Sequence, residues 1–320
     1  MSKHPLLSVC LITYNHVDHI RQAIEGVLMQ EVDFTWELII ADDYSSDGTR
    51  DILLEYQSKY PDLIKLILQP KNVGAFQNWM DLLHTPQSTY IAYFDGDDYW
   101  TDPNKLQKQV DFLEANADYV LCFHPVLILK SDGNLREDYI TKVPKDHEHI
   151  ESLAIHGNYM HTPSVVFRKV LQSFPAEMAK SPIGDYYLYM LLAKHGKLKL
   201  LSETMAVYRV HDIGTHSLLS QTQKRYKWFL MLYYLIPQFE GNIRTILVNN
   251  LLDNAKALLQ DAGKLSVDTK EMIQRCALEY DQDYLIRILQ ENQSLTHKFH
   301  STKSVFRQLL FLLKRRFSKT

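Results

Sequence analysis

Trp36 to Tyr60 reads WELIIADDYSSDGTRDILLEYQSKY. Its first seven residues, Trp36–Asp42, have the length and apolar density of a buried strand, and the run stops on two carboxylates, Asp42 and Asp43. Small polar residues with helix-capping character follow. Apolar side chains then recur at helical spacing until Pro61. Strand, polar turn and helix in immediate succession make a βα unit, and the same unit repeats on both sides of this stretch.

Upstream, Leu7–Thr13 (LSVCLIT) is a first buried strand, and Asp18 is placed to cap a helix over HIRQAIEGVLMQ. Downstream, LIKLILQ (Leu63–Gln69), YIAYFD (Tyr90–Asp95) and YVLCFH (Tyr119–His124) read as strands. AFQNWMDLLH, ending near Pro86, reads as a helix, as does PNKLQKQVDFLEAN with Pro103 in its first turn. Nearly all-apolar strands alternating with helices imply an α/β fold with a mainly parallel sheet covered on both faces. After about residue 125 the pattern changes. KSDGNLRED contains a hairpin-like turn, and the polar KVPKDHEHIES is expected to be a mobile loop. PSVVFRK and ETMAVYRV read as further strands, with the helix DYYLYMLLAKHG between them. From about Ser217 only helices are expected. The chain thus divides into residues 1–216 and a helical region, 217–320.

The 320 residues are 46% hydrophobic, enough for one large domain with an appendage, and the formal net charge of −3 gives no reason to expect a nucleic-acid partner. Cys10, Cys122 and Cys276 are too sparse and too widely spaced for a disulfide framework or a zinc knuckle, which suits a reducing compartment. The N-terminal apolar run turns polar at Thr13 and reads as a strand, not a signal peptide. No apolar run approaches the roughly 20 residues of a membrane span, so a cytoplasmic location is expected. There is no G-x-G-x-x-G after the first strand and no G-x-x-x-x-G-K-[ST].

The chemistry concentrates in YIAYFDGDDYW, Tyr90–Trp100, where a buried strand stops at Asp95, Asp97 and Asp98. In open α/β sheets ligands bind outside the carboxyl ends of the strands, where this cluster and Asp42–Asp43 both fall. Carboxylates so close repel each other unless a cation lies among them. Mg²⁺ or Mn²⁺ prefers oxygen ligands and commonly joins carboxylates to phosphates. Gly96 lets backbone and carboxylates approach such a ligand. The cluster reads as a metal–diphosphate clamp, against the plainer reading of solvated loop acids. A phosphatase D-x-D-x-T motif is disfavoured because Tyr99 stands where Thr is needed.

With these stretches in view, the chain resembles the inverting family 2 glycosyltransferases with the GT-A fold, over roughly Leu7 to His216. The resemblance is carried by SVCLITYN, ELIIADDYSSDGT, NVGAFQNW, YIAYFDGDDYW followed by PNKLQKQV, GDYYLYMLLAKHGKLKLL and YRVH, in that order. It implies a Rossmann-like, GT-A-type mixed sheet and transfer of a sugar from a nucleotide diphosphate, commonly UDP. By position, Thr13, Tyr14 and Asn15 would line the nucleotide pocket, Asp42 would accept a hydrogen bond from uracil, and Asp43 would support that loop. Asn72 and Gly74 match a loop near the nucleotide. Asp95 and Asp97 correspond to the D-x-D element, with Asp95 on the ribose and Asp97 on Mn²⁺ or Mg²⁺; Asp98 would share either task. The family often has Ala at the position of Gly96. Asp185 matches the catalytic base, often preceded by Glu where this chain has Gly184. The alternative for Asp185 is a helix N-cap. His211 resembles a histidine that reaches metal or diphosphate, and Arg209 is read as either a phosphate contact or an ordinary ion pair.

The reaction this implies is a single displacement that inverts the anomeric centre, with Asp185 taking the proton of an acceptor hydroxyl. Trp79, Tyr99 and Trp100 lie near the motif, either stacking on sugar or packing in the core. The competing classes are a catalytically inactive nucleotide-sugar-binding or scaffold protein and a nucleotidyltransferase; the latter is disfavoured by the missing Gly-rich loop. Surface polysaccharide or lipopolysaccharide assembly, with a saccharide or lipid-linked acceptor, is what the family suggests. The C-terminal helices offer a surface for homo-oligomerisation. The tail THKFHSTKSVFRQLLFLLKRRFSKT carries seven Lys and Arg between 298 and 319, no acid and a broad apolar face. Such a segment either lies on an anionic membrane surface, placing the protein on the inner face of the plasma membrane, or docks on its own protein.

Overall fold

A computed structural model describes residues 4–210, 219–260 and 265–280. Two compact units are present, Met1–Leu218 and Leu219–Thr320.

In chain order the first unit contains β1 (Leu7–Thr13), α1 (Ile20–Leu28), β2 (Trp36–Asp42), α2 (Thr49–Lys59), β3 (Ile64–Leu68), α3 (Ala75–His84), β4 (Tyr90–Asp95), β5 (Tyr99–Trp100) and α4 (Lys105–Ala115). There follow β6 (Tyr119–Phe123), β7 (Val126–Lys130), β8 (Leu135–Glu137), α5 (Ile150–His156), β9 (Val166–Arg168), α6 (Asp185–Leu192), β10 (Lys197–Leu200) and β11 (Ala206–Val210). A seven-stranded sheet runs β10-β6-β9-β4-β1-β2-β3, parallel except for β9, which is antiparallel to both neighbours. A second sheet runs β5-β11-β7-β8.

Register decides where function can sit. Thr13 pairs with Asp42 across β1–β2, and Ile12 with Asp95 across β1–β4. The carboxyl ends of the central strands therefore finish level. The order turns back between β1 and β4, the switch point at which α/β sheets open a ligand crevice. Below this rim the strands are buried on both faces. Leu7, Val9 and Leu11 pack with Ile20, Ile24 and Val27 of α1 and with Phe94 and Trp100. Burial of this kind stabilises by about 1.5–3 kcal/mol per large apolar side chain.

Several local expectations are corrected. Asp18 does not cap α1; His19 holds the N-cap position with no side-chain bond. Pro103 precedes α4, whose N-cap is Asn104. The polar segment KVPKDHEHIES is tied down: the Glu148 carbonyl accepts from Leu198 N at 2.9 Å, the Tyr119 hydroxyl donates to the Glu148 carboxylate at 2.9 Å, and Ile150 starts α5. Its polarity reflects hydrogen bonding to neighbours that only the fold supplies. KSDGNLRED does turn a hairpin, β7 to β8.

The second unit contains α7 (Gln221–Leu235), α8 (Gly241–Gln260) and α9 (Val267–Tyr280). Ser220 caps α7 in a capping box with Gln223. Phe229, Leu232, Leu251 and Leu258 are buried, and the Tyr233 hydroxyl donates to Glu279 at 2.9 Å. Among the described residues no helix is long and apolar enough to cross a membrane. The basic tail lies outside the described residues.

Candidate functional site

The loops after β1 and β2 are laced together by short polar side chains. Asn15 N donates to Ser45 Oγ and Asn15 Oδ1 accepts from Ser46 N, each at 2.9 Å; His16 N donates to Thr49 Oγ1, and Val17 N to Asp47. Asn15 and Tyr44 adopt positive φ, 54° and 65°. For a residue with the bulk of Tyr44 such backbone costs about 1–3 kcal/mol and persists where surrounding bonds fix it. Tyr14 and Tyr44 stand 46% and 50% exposed on these two loops.

Asp42, at the end of β2, is fully buried. Its Oδ2 accepts from Arg50 Nε at 2.8 Å and forms an ion pair with the same guanidinium at 2.6 Å; the Ser45 N–H points at both oxygens. Arg50 also donates to the Gln69 carbonyl, and its guanidinium lies 5.3 Å from the Tyr44 ring centre. Asp43 faces the next loop, where its carboxylate accepts from Val73 N at 2.7 Å and Gly74 N at 3.0 Å. Asn72, just before, is exposed.

The second half of the rim is acidic. Asp95 closes β4 and accepts from Thr162 Oγ1 at 3.1 Å. At Gly96 the fit is tight: a Cβ there would lie 3.0 Å from Thr13 Oγ1 and 3.1 Å from Ile20 Cδ1, so those side chains would have to shift slightly. Asp98 is 1% exposed; one oxygen accepts from Arg209 N at 2.8 Å, and the other has no partner among the described residues. Arg209 is itself spent on structure, donating to the Asp97 carbonyl at 2.7 Å and to Gln22 at 2.8 Å while stacking on Tyr99. Asp185 is the first residue of α6, with Gly184 as N-cap, and its carboxylate accepts from Asn158 Nδ2 at 2.8 Å.

Electrostatics ties these acids together. Burial, then Asp97, then Asp185 push the Asp95 carboxyl up. Burial, Asp97 and Asp95 push Asp98 well above its ordinary range. Asp185 is also raised, chiefly by burial. Beneath them Tyr93 and Tyr189 are driven far up by burial and by the fields of Asp95 and Asp185. Asp95, Asp97 and Asp185 thus share one field, and Asp95 pairs with Ile12, one residue before the Thr13–Asp42 pair. His211 lies outside the described residues.

Other participants have no local sequence signal. Thr162, Asn158 and His161 arrive from the α5–β9 connection. His161 Nε2 sits 2.9 Å from Asp138 Oδ2, its ring 4.6 Å from that of Tyr208. Burial raises Asp138, but hydrogen bonds from His161 and Thr141 outweigh it and hold the carboxyl well below the usual range. Arg50 was closer to legible, since a cation in the first turn of α2 can reach back to the strand end. Trp79 and Trp100 are buried: Trp100 Nε1 donates to the Pro163 carbonyl at 2.9 Å under the Lys105 ammonium, and neither ring is open to a sugar.

Comparison with known proteins gives these features company. The family model described as glycosyl transferase family 2 matches residues 8–175. The uncharacterised protein Rv1520 of Mycobacterium tuberculosis is 38% identical over 225 residues, 69% of this chain and 63% of that protein. The chain thus spans less than two thirds of that relative's length. TuaG of Bacillus subtilis, named as a candidate teichuronic acid biosynthesis glycosyltransferase, is 40% identical over 136 residues, 42% of this chain and 52% of that one. Among solved structures, S. aureus TarS in complex with UDP superposes with a TM-score of 0.58 at 16% identity, covering 84% of this chain and 78% of TarS. The mannosyltransferase PcManGT of Pyrobaculum calidifontis, in complex with GDP-Man and Mn²⁺, gives 0.53 at 16% identity, covering 91% and 88%. At such identities the likeness to the two structures is one of fold.

Proposed function

The chain belongs to glycosyl transferase family 2 and has its GT-A fold, and from that premise we propose that it moves a sugar from a nucleotide diphosphate, UDP in the first instance, to an acceptor hydroxyl with inversion. The observation that carries the reading is the level rim at the β1–β4 switch point, with the buried Asp42–Arg50 pair on one side and a cluster of mutually repelling carboxylates on the other.

In this reading the base of the nucleotide lies between the Tyr14 and Tyr44 loops, with uracil donating to Asp42. Arg50 shares that carboxylate, and among the described residues Oδ1 keeps the long Ser45 contact of 3.3 Å. Asp43 fixes the Val73–Gly74 backbone, and with it the Asn72 loop, alongside the nucleotide. Asp95 takes the ribose. Asp185 accepts the proton of the acceptor hydroxyl as its oxygen bonds to the anomeric carbon, while the bond from that carbon to the diphosphate oxygen breaks. One such displacement inverts the centre, and general-base help of this kind is worth ~10²–10⁴-fold. Burial raises Asp185 and so makes it the stronger base.

A divalent cation fits the donor set, since the oxygens are hard, the acids repel one another and Asp98 keeps one buried oxygen without a partner among the described residues. No three His, Cys, Asp or Glu among the described residues form a cage by themselves, so the remaining ligands would come from the diphosphate, with His211 as a further candidate. When bound, Mn²⁺ or Mg²⁺ would offset charge on the leaving diphosphate. Asp97, with Asp98, would hold it.

The name of TuaG supports a surface polysaccharide setting; lipopolysaccharide assembly and a saccharide or lipid-linked acceptor rest on the family resemblance. Thermal shift against a panel of UDP- and GDP-sugars, with and without Mn²⁺, tests the donor, and nucleotide release tests turnover. Stabilisation without any release by the wild-type chain would favour the inactive nucleotide-sugar-binding alternative.

A further inference from the structure

Gly184 precedes the proposed base, and its backbone does not explain why it is glycine: its φ of −90° suits any residue. Space does. A Cβ at Gly184 would stand 2.6 Å from Cζ3 of Trp79, 3.0 Å from Cη2 and 3.1 Å from Cε3. Backbone of α6 and indole edge therefore touch where no side chain can come between them. The contact lies at the first turn of α6, where the Gly184 carbonyl accepts from Leu188 N at 2.9 Å.

The indole is costly where it sits. Trp79 is 3% exposed, and its Nε1–H finds no acceptor among the described residues. A smaller apolar ring would avoid that unpaired donor. Its neighbours are Phe76, at 5.6 Å between ring centres, and Tyr93 at 5.7 Å, the latter on the strand that ends at Asp95. Trp79 also belongs to α3, the helix that starts after Gly74, whose N–H is held by Asp43. One rigid element thus joins the nucleotide-side loop to the residue before Asp185.

We propose that Trp79 is a positioning residue for Asp185: its indole edge, seated on Gly184, sets the first turn of α6 and so the place of the carboxylate relative to the donor cradle. The inference rests on the reading of Asp185 as the base. Trp79 touches no substrate in this account and acts through packing alone. Displacing a reacting group by about 1 Å can cost on the order of 10²-fold in rate.

The test uses the full chain and four variants: Gly184→Ala, Trp79→Phe, the double variant and Asp185→Asn. Three quantities are read: the Kd for UDP with Mn²⁺ by calorimetry, kcat for UDP release from whichever UDP-sugar the wild-type chain turns over, and Tm. Gly184→Ala should lose roughly 10–100-fold in kcat with the UDP Kd nearly unchanged. Trp79→Phe, the gentler change, should lose kcat while its Tm stays near wild type. The double variant should exceed Gly184→Ala in kcat, because the smaller ring makes room for the methyl group. Wild-type kcat in Gly184→Ala overturns the inference, as do losses that simply multiply in the double variant, or a fall in kcat matched by falls in UDP binding and Tm. If Asp185→Asn keeps wild-type kcat, or the wild-type chain binds UDP and releases none from any donor, the base reading fails and this inference with it. If Asp185→Asn is inactive while Gly184→Ala is not, only this inference fails.

Discussion

Asp185, the proposed base, has surroundings that resist its charge. Burial raises its carboxyl above the ordinary range, and Asn158 holds one oxygen. Since only the ionised form accepts a proton, activity should be lost as pH falls through this raised value. The acid limb of kcat/KM should therefore lie above the usual carboxylate range and vanish in Asp185→Asn, along with ~10²–10⁴ in rate; UDP binding should persist. A second buried charge gives a stability prediction. Lys105 is wholly buried, its ammonium 4.1 Å from the Trp100 ring centre and donating to Gln109 at 2.7 Å, and burial lowers its pKa from 10.5 to about 7. Between those values the unfolded chain binds a proton that the folded chain does not, so this residue makes stability rise with pH across that window. In Lys105→Met the rise should flatten: the Tm difference between variant and wild type, measured by calorimetry at pH 7 and pH 10, should move in favour of wild type at the higher pH.

At the scale of elements, the proposed donor cradle is three βα turns cross-linked by carboxylates. Asp43 is the link between the second and third, so Asp43→Ala frees two backbone N–H groups and removes hydrogen bonds to a charged acceptor, each worth about 1.5–3 kcal/mol. Tm should fall, and UDP affinity should fall with it because the Asn72–Gly74 loop loses its anchor. Arg50→Ala should behave differently. It leaves Asp42 buried and charged without its cation, so binding titrations should show weaker UDP affinity, and stability should drop by about 3–5 kcal/mol. On the acidic side, Asp97→Ala should leave the fold intact and abolish the dependence of UDP binding on Mn²⁺; an unchanged Mn²⁺ titration would remove the cation from the account.

At the scale of the whole molecule, the rim belongs to the first unit, and the helices of the second share none of the family motifs. The segment 298–319, outside the described residues, is the strongest basic run in the chain. Its sequence mixes apolar residues with Lys and Arg, and we propose that it binds an anionic membrane surface. Flotation with anionic liposomes should recover the intact chain and not a chain ending near residue 300; equal recovery would remove the membrane reading.

The sequence alone determined the α/β class, the strands β1, β2 and β4 to the residue, and the acids that end them. Local apolar runs and local turn chemistry dictate such features without help from distant residues. The family resemblance singled out Asp185 as the proposed base, without showing what surrounds it. Only the tertiary structure decided that Asp42 is paired with Arg50, that Thr162 and Asn158 reach the acids from the α5–β9 connection, that Arg209 is held by the Asp97 carbonyl and Gln22, and that Trp79 fills the space over Gly184. Those are contacts between segments far apart in the chain. Their partners are chosen by strand order and register, and no period or spacing along one segment encodes which distant side chain will arrive.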